Sequence, residues 1–249
     1  MDDWINKVDA AAIFGASGGI GRAMVEHFVQ GGVRRIYAGS RSGNCGSFES
    51  DTAPAVKEFA FDLTNEESIR LAVAYMQGDP PDLIIVATGQ LSTDDGKAPE
   101  RSYRKLDAET MEQIFRVNAI GPAIIAKHAL PLFTRDRRCV FAALSARVGS
   151  ISDNQLGGWH SYRASKAALN MMLRNFAIEL RRTHPQAVIA SLHPGTVDTA
   201  LSEPFQGNVP ERQLFSSAHS AERLIDVLDG LTPADSGGFF GWDGEPIAY

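Results

Sequence analysis

Apolar positions along the chain follow two alternating periods. Short, mostly apolar runs have the length and composition of buried strands: AAAIF (10–14), RIYAG (35–39), VKEFAF (56–61), DLIIVAT (82–88), RCVFAAL (138–144), AVIASLH (187–193) and GFFGW (238–242). Longer segments between them carry apolar residues at helical spacing. From Gly19 to about Gly31 these are Ile20, Met24 and Phe28. Thr64 and Glu67 match a capping box that opens a helix through Tyr75. Further helices are predicted over 108–128, from Tyr162 with Leu169, Leu173, Phe176 and Leu180 on one stripe, and over 217–229. Regular strand–helix alternation predicts one α/β domain over residues 1–249. The expected architecture is a Rossmann-type, doubly wound parallel sheet of about seven strands with helices on both faces. Two long polar loops, 89–105 and 201–217, follow the C-terminal ends of strands, where such sheets bind ligands.

Composition narrows the function. The chain has 249 residues and a formal net charge of −6, which argues against nucleic acid as its partner. Neither a basic run nor a long apolar segment points to a membrane, and the N-terminus lacks the basic start of a signal peptide. A cytoplasmic location is expected. Cys45 and Cys139 read as unpaired thiols there, and the six histidines show no metal-ligand spacing.

The segment GASGGIG (15–21) stands between the first strand and its helix. Gly15, Gly19 and Gly21 permit a tight turn and close approach of a ligand to the backbone. The loop, with Ser17, Gly18 and Ile20, precedes a helix N-terminus that favours an anion such as a dinucleotide pyrophosphate. In NAD-binding units an acid closes the second strand and holds the ribose 2′-hydroxyl. This chain has Ser40 and Arg41 instead. Arginine suits a 2′-phosphate, so NADP(H) is expected over NAD(H).

YRASK (162–166) places a phenol and an ammonium one helical turn apart, Tyr162 and Lys166. Spacing alone fits an ordinary surface pair as well as a site. Upstream, Pro122 lies inside a helical pattern and denies the carbonyl of Asn118 its usual donor, so RVNAIGP reads as a break in that helix.

With Gly15, Gly19, Gly21, Asn118, Ser145, Tyr162 and Lys166 in this order, the chain resembles the short-chain dehydrogenase/reductase family. HPGTVDT and the tail GWDGEPIAY resemble its branch of C-factor-like proteins and sniffer-type carbonyl reductases. The resemblance implies that Tyr162 exchanges a proton with a carbonyl or alcohol, its pKa lowered by Lys166. It gives Lys166 the nicotinamide ribose, Ser145 the substrate oxygen, and the Asn118 carbonyl a water leading to Lys166. Asp62 and Leu63 fall at its adenine site. Ala87, Thr88 and Gly89 stand where it usually has Asn-Ala-Gly. Pro194, Gly195, Val197 and Thr199 fall beside the nicotinamide carboxamide.

The Ser145–Tyr162 spacer is longer than is common in the family and places Trp159 and His160 near the pocket mouth. The pocket is expected to use Leu91, Ser145, Arg147, Ile151, Trp159 and the 196–210 segment around a small carbonyl or alcohol substrate. The helices over 108–128 and 161–182 could pair with those of another subunit in a homodimer or homotetramer, as the family often does, and equally fit ordinary solvated surface. A cofactor-binding regulatory protein of C-factor type is the alternative. An epimerase or dehydratase of the family's extended group fits the chain length less well.

Overall fold

Strand β1 (Ala10–Phe14) is buried throughout and divides its side chains between two cores. Ala11 and Ile13 enter one, Ala12 and Phe14 the other. Successive strand residues point to opposite faces, so a strand covered by helices on both sides must be apolar at every position. The computed structural model describes residues 4–48, 55–208 and 214–249.

Around β1 lie β2 (Arg35–Ser40), β3 (Ala55–Ala60), β4 (Leu83–Val86), β5 (Val140–Leu144) and β6 (Val188–His193). Two short strands, β7 (Thr196–Val197) and β8 (Leu214–Phe215), pair with each other, and β9 (Gly238–Gly241) ends the main sheet. All seven strands of that sheet are parallel, in the order β3-β2-β1-β4-β5-β6-β9. This is the doubly wound sheet predicted from the alternation, with strand ends shifted by a residue or two.

On one face α1 (Gly19–Gln30) packs beside α6 (Ser217–Gly230), through Met24, Val25 and Phe28 with Leu224, Ile225 and Leu228. On the other, α2 (Glu66–Ala74), α4 (Gly121–Ala129) and α5 (His160–Leu180) contribute Ile69, Val73, Ile125, Leu169 and Leu173. Phe176 and Leu180 pack against that core, as their stripe predicts.

One local expectation is corrected. The cap of α2 is Asn65, whose Oδ1 accepts from the Ser68 N–H at 3.1 Å. Thr64 is unavailable because both its N–H and its hydroxyl donate to Asp62 Oδ1, while Glu67 pairs with Arg70. The helix over 108–128 is broken where Pro122 predicts. Helix α3 (Ala108–Phe115) passes through a π turn, Arg116–Ile120, into α4. Pro122 has no N–H to give residue 118, and the Gly121 N–H reaches back to Arg116 O instead. Among the described residues no helix is long and apolar enough to cross a membrane.

Phe14 ends β1 fully buried, its ring edge-on to Phe59 at 5.2 Å and to Phe61 at 5.1 Å. Phe14→Ala is expected to cost about 3–5 kcal/mol in urea unfolding with an unchanged m-value. A loss below about 1 kcal/mol would contradict this packing.

Candidate active site

β2 and β4 flank β1 on opposite sides, so a crevice opens at the C-terminal end of the sheet where the winding reverses. The turn from β1 to α1 forms one lip. Gly15 there has φ +100°, and a Cβ on Gly21 would stand 2.2 Å from Gly15 O. Only glycine permits this closeness. Gly18 is the N-cap of α1 and provides no side-chain cap, which leaves the first turn of the helix open to a ligand.

The cleft of about 410 Å³ brings predicted residues together from several elements. Gly18, Gly19 and Ile20 come from the glycine turn; Ala87, Thr88 and Gly89 follow β4; Pro194, Gly195, Val197 and Thr199 follow β6. Ser145 stands after β5, and Tyr162 and Lys166 occupy the first two turns of α5. Leu91, Arg147 and Trp159 also line it, as expected. Ile151 does not: its side chain is 77% exposed on the loop beyond Ser150, and Phe205 supplies apolar surface instead, with its ring 5.3 Å from that of Trp159. His160 lies outside the cleft lining.

A run of hydrogen bonds holds the reactive side chains. The Asn118 amide accepts from the Gln90 N–H and donates to Gln90 O, both at 2.8 Å, fastening the chain after β4. The same Nδ2 donates to Ser165 Oγ at 3.0 Å, and Ser165 donates to Tyr162 O at 2.8 Å. Lys166 Nζ donates to Leu144 O at 2.7 Å, joining α5 to the residue before Ser145.

The start of α5 is held from a distant segment. Gly157, Gly158 and Trp159 all have positive φ, and the helix has no side-chain cap from its own N-cap residue, Trp159. Glu100 replaces it. Its carbonyl accepts from the Trp159 N–H at 2.5 Å, and its buried carboxylate accepts from both the N–H and the hydroxyl of Ser161. A left-handed tryptophan costs on the order of 1–2 kcal/mol, which these bonds offset. Neither Glu100 nor Ser165 stands out in the sequence. A cap contributed from another part of the chain has no local signature.

Burial dominates the electrostatics. It lowers Lys166 to about 7 and raises Tyr162 to about 12. The expected lowering of the tyrosine by the lysine is therefore not found; burial shifts it the other way. The Nζ lies 5.9 Å from the phenol ring centroid, but desolvation outweighs the charge that this ammonium would exert. Burial also lowers His193 to about 4, assisted by the Arg147 charge, so this cleft-lining imidazole is neutral at pH 7.

Other predicted cofactor residues lie outside the cleft lining. Ser40 is buried at the end of β2 and donates to Asn44 O at 3.2 Å. Arg41 and Ser17 are exposed. Asp62 is exposed, with its pKa lowered chiefly by the N–H of Thr64, and Leu63 packs partly into the core. Arg22, absent from the sequence-based set, donates to Cys45 O at 2.6 Å and Ser47 O at 3.0 Å, pinning the segment after β2. Its position directly after Gly21 was the available signal.

The lysine gives a signed prediction. Folded Lys166 gives up its proton near pH 7, whereas an unperturbed lysine holds one to about 10.5. Between these values the unfolded chain binds more protons, so this group makes stability rise with pH. In urea unfolding from pH 7 to 9, the wild type should gain stability relative to Lys166→Met. A difference that stays constant with pH would contradict the buried, uncompensated lysine.

Comparison with known proteins agrees with the geometry. Residues 9–209 match the model of the short chain dehydrogenase family. The chain is 31% identical over 185 residues to 1-hydroxy-2-glutathionyl-2-methyl-3-butene dehydrogenase of a Rhodococcus species, covering 74% of this chain and 76% of that protein. It is 34% identical over 145 residues to C-signal of Myxococcus xanthus, covering 58% and 81%. Among solved structures, an NADPH-bound carbonyl reductase from chicken fatty liver superposes with a TM-score of 0.80 at 23% identity, covering 97% of this chain and 94% of that one. Carbonyl reductase Sniffer of Drosophila melanogaster gives 0.81 at 20% identity, covering 97% and 99%. The parallel sheet, the glycine turn and the family match lead to one conclusion: the chain belongs to the short chain dehydrogenase family of oxidoreductases.

Proposed function

We propose that the protein is an NADP(H)-dependent oxidoreductase that interconverts a small ketone or aldehyde and its alcohol. The observation that carries this reading is the single cleft shared by Ser145, Tyr162, Lys166 and the glycine turn. Gly15 and Gly21 let the turn close on itself while Gly18 leaves the first turn of α1 without a side-chain cap, and Lys166 is buried with a backbone carbonyl as its hydrogen-bond acceptor and no paired anion among the described residues. Both features suit a dinucleotide whose phosphates meet α1 and whose ribose meets the lysine. NADPH supplies the hydride.

The remaining chemistry belongs to this chain. Ser145 and Tyr162 hold the substrate oxygen, and Tyr162 gives or takes its proton. Among the described residues the Tyr162 hydroxyl has no hydrogen-bond partner, so it is available to the substrate. Anionic charge near Lys166 favours its protonated form, and that ammonium then lowers the Tyr162 pKa toward the working range. Asn118 anchors the helix turn behind them. Arg41 meets the 2′-phosphate, and Asp62 with Leu63 borders the adenine. Similarity to C-signal supports the second reading, a regulatory protein that binds nucleotide without appreciable turnover.

Two outcomes are expected with NADPH and a panel of ketones, aldehydes and quinones. Tyr162→Phe should lower kcat about 10²–10⁴-fold while NADPH binding survives. Binding without Tyr162-dependent turnover would favour the regulatory reading. Arg41→Asp should raise the KM for NADPH about 10–100-fold and leave that for NADH little changed. An unchanged NADPH/NADH preference would remove Arg41 from the site.

A further inference from the structure

Ser145 already has a partner. Its Oγ donates to Asn170 Oδ1 at 2.7 Å. Both residues are buried, at 3% and 1% exposure, and Asn170 follows Lys166 by one helical turn on the inner face of α5. The Nδ2 of this amide is buried with no partner among the described residues.

The direction of the bond decides what Ser145 offers the cleft. A hydroxyl has one proton to give. While that proton goes to Asn170, Ser145 presents only lone pairs, which accept from an alcohol O–H but cannot donate to a carbonyl oxygen. A half-turn of the amide exchanges Oδ1 and Nδ2 with almost no change of shape. Nδ2 then donates to Ser145 Oγ, the stranded donor gains an acceptor, and the serine proton is released toward the substrate.

We propose that Asn170 is a positioning residue for the reaction. The end of its amide that faces Ser145 sets whether that hydroxyl donates to a carbonyl oxygen or accepts from an alcohol. Asn170 acts only through Ser145, and the inference rests on the reading of Ser145 as the partner of the substrate oxygen. A residue that merely packed the interior would affect the enzyme whether or not the serine hydroxyl were present.

A double-mutant cycle separates these cases. The carbonyl substrate turned over best is assayed with NADPH in wild type, Asn170→Ala, Ser145→Ala and the double variant, and NADPH binding is followed by fluorescence. With Ser145 present, Asn170→Ala should lower kcat about tenfold and leave NADPH affinity within about twofold. With Ser145→Ala, the same change should lower kcat less than about twofold. Equal losses in both backgrounds, or none in either, would overturn the inference while leaving the reductase reading intact. If Asn170→Ala does not fold, Asn170→Asp preserves the shape and offers only an acceptor while ionised. It should lose at least as much kcat as the alanine variant was expected to lose, and wild-type kcat there would overturn the inference. Absence of Tyr162-dependent turnover in the parent enzyme would overturn the reductase reading, and the role of Asn170 with it.

Discussion

The constraint on which the site depends is the burial of Lys166 without a counter-charge among the described residues. Its ammonium meets one backbone carbonyl, Leu144 O, at the junction of β5 and α5. Desolvation outweighs that bond and lowers the pKa of the lysine to about 7. The same dry surroundings make the Tyr162 phenol a weaker acid that keeps its proton. Burial alone leaves neither group poised for proton exchange. On the proposed reading, negative charge and hydroxyl groups brought to the lysine complete the chemistry, which would link nucleotide binding to activation of the tyrosine.

Such a dependence requires the two side chains to stay in register, and much of the local architecture serves that need. Tyr162 and Lys166 lie on one helix, which is secured independently at several points. Asn118 and Ser165 connect its first turn to the chain after β4. Glu100 secures the residues just before Tyr162. Lys166 itself reaches the end of β5. The π turn is part of this arrangement, because it contains Asn118 and turns the amide inward where it can meet both Gln90 and Ser165. A proline that would otherwise weaken a helix therefore helps to create an anchoring point.

The fold was legible in the sequence because hydrophobic periodicity is a local signal, and both cores draw on the residues that carry it. The stripe Leu169–Leu173–Phe176–Leu180 packs where its spacing placed it. The glycine turn and the helix break at Pro122 were legible for the same reason: each is set by backbone chemistry within a few residues. Contacts across the chain were not. Asn65 displaced Thr64 as a cap because Asp62 had already engaged the threonine. Ile151 was expected in the pocket with the rest of the Ser145–Tyr162 spacer, but position in a loop does not fix which side chains face a cleft. Glu100 and Ser161 are 61 positions apart, and only the folded chain joins them. The four-residue spacing of Tyr162 and Lys166 gave their proximity but not their desolvation, which reversed the expected direction of the tyrosine's shift.

Proton uptake on cofactor binding tests this account most directly. Calorimetric titration with NADPH at pH 8, repeated in buffers of different ionisation enthalpy, measures how many protons the complex takes up. If nucleotide binding restores the charge on Lys166, uptake should approach about one proton per site and vanish in Lys166→Met. Binding with no proton uptake, or with uptake that persists in the methionine variant, would contradict the claim that the cofactor sets the charge of the buried lysine.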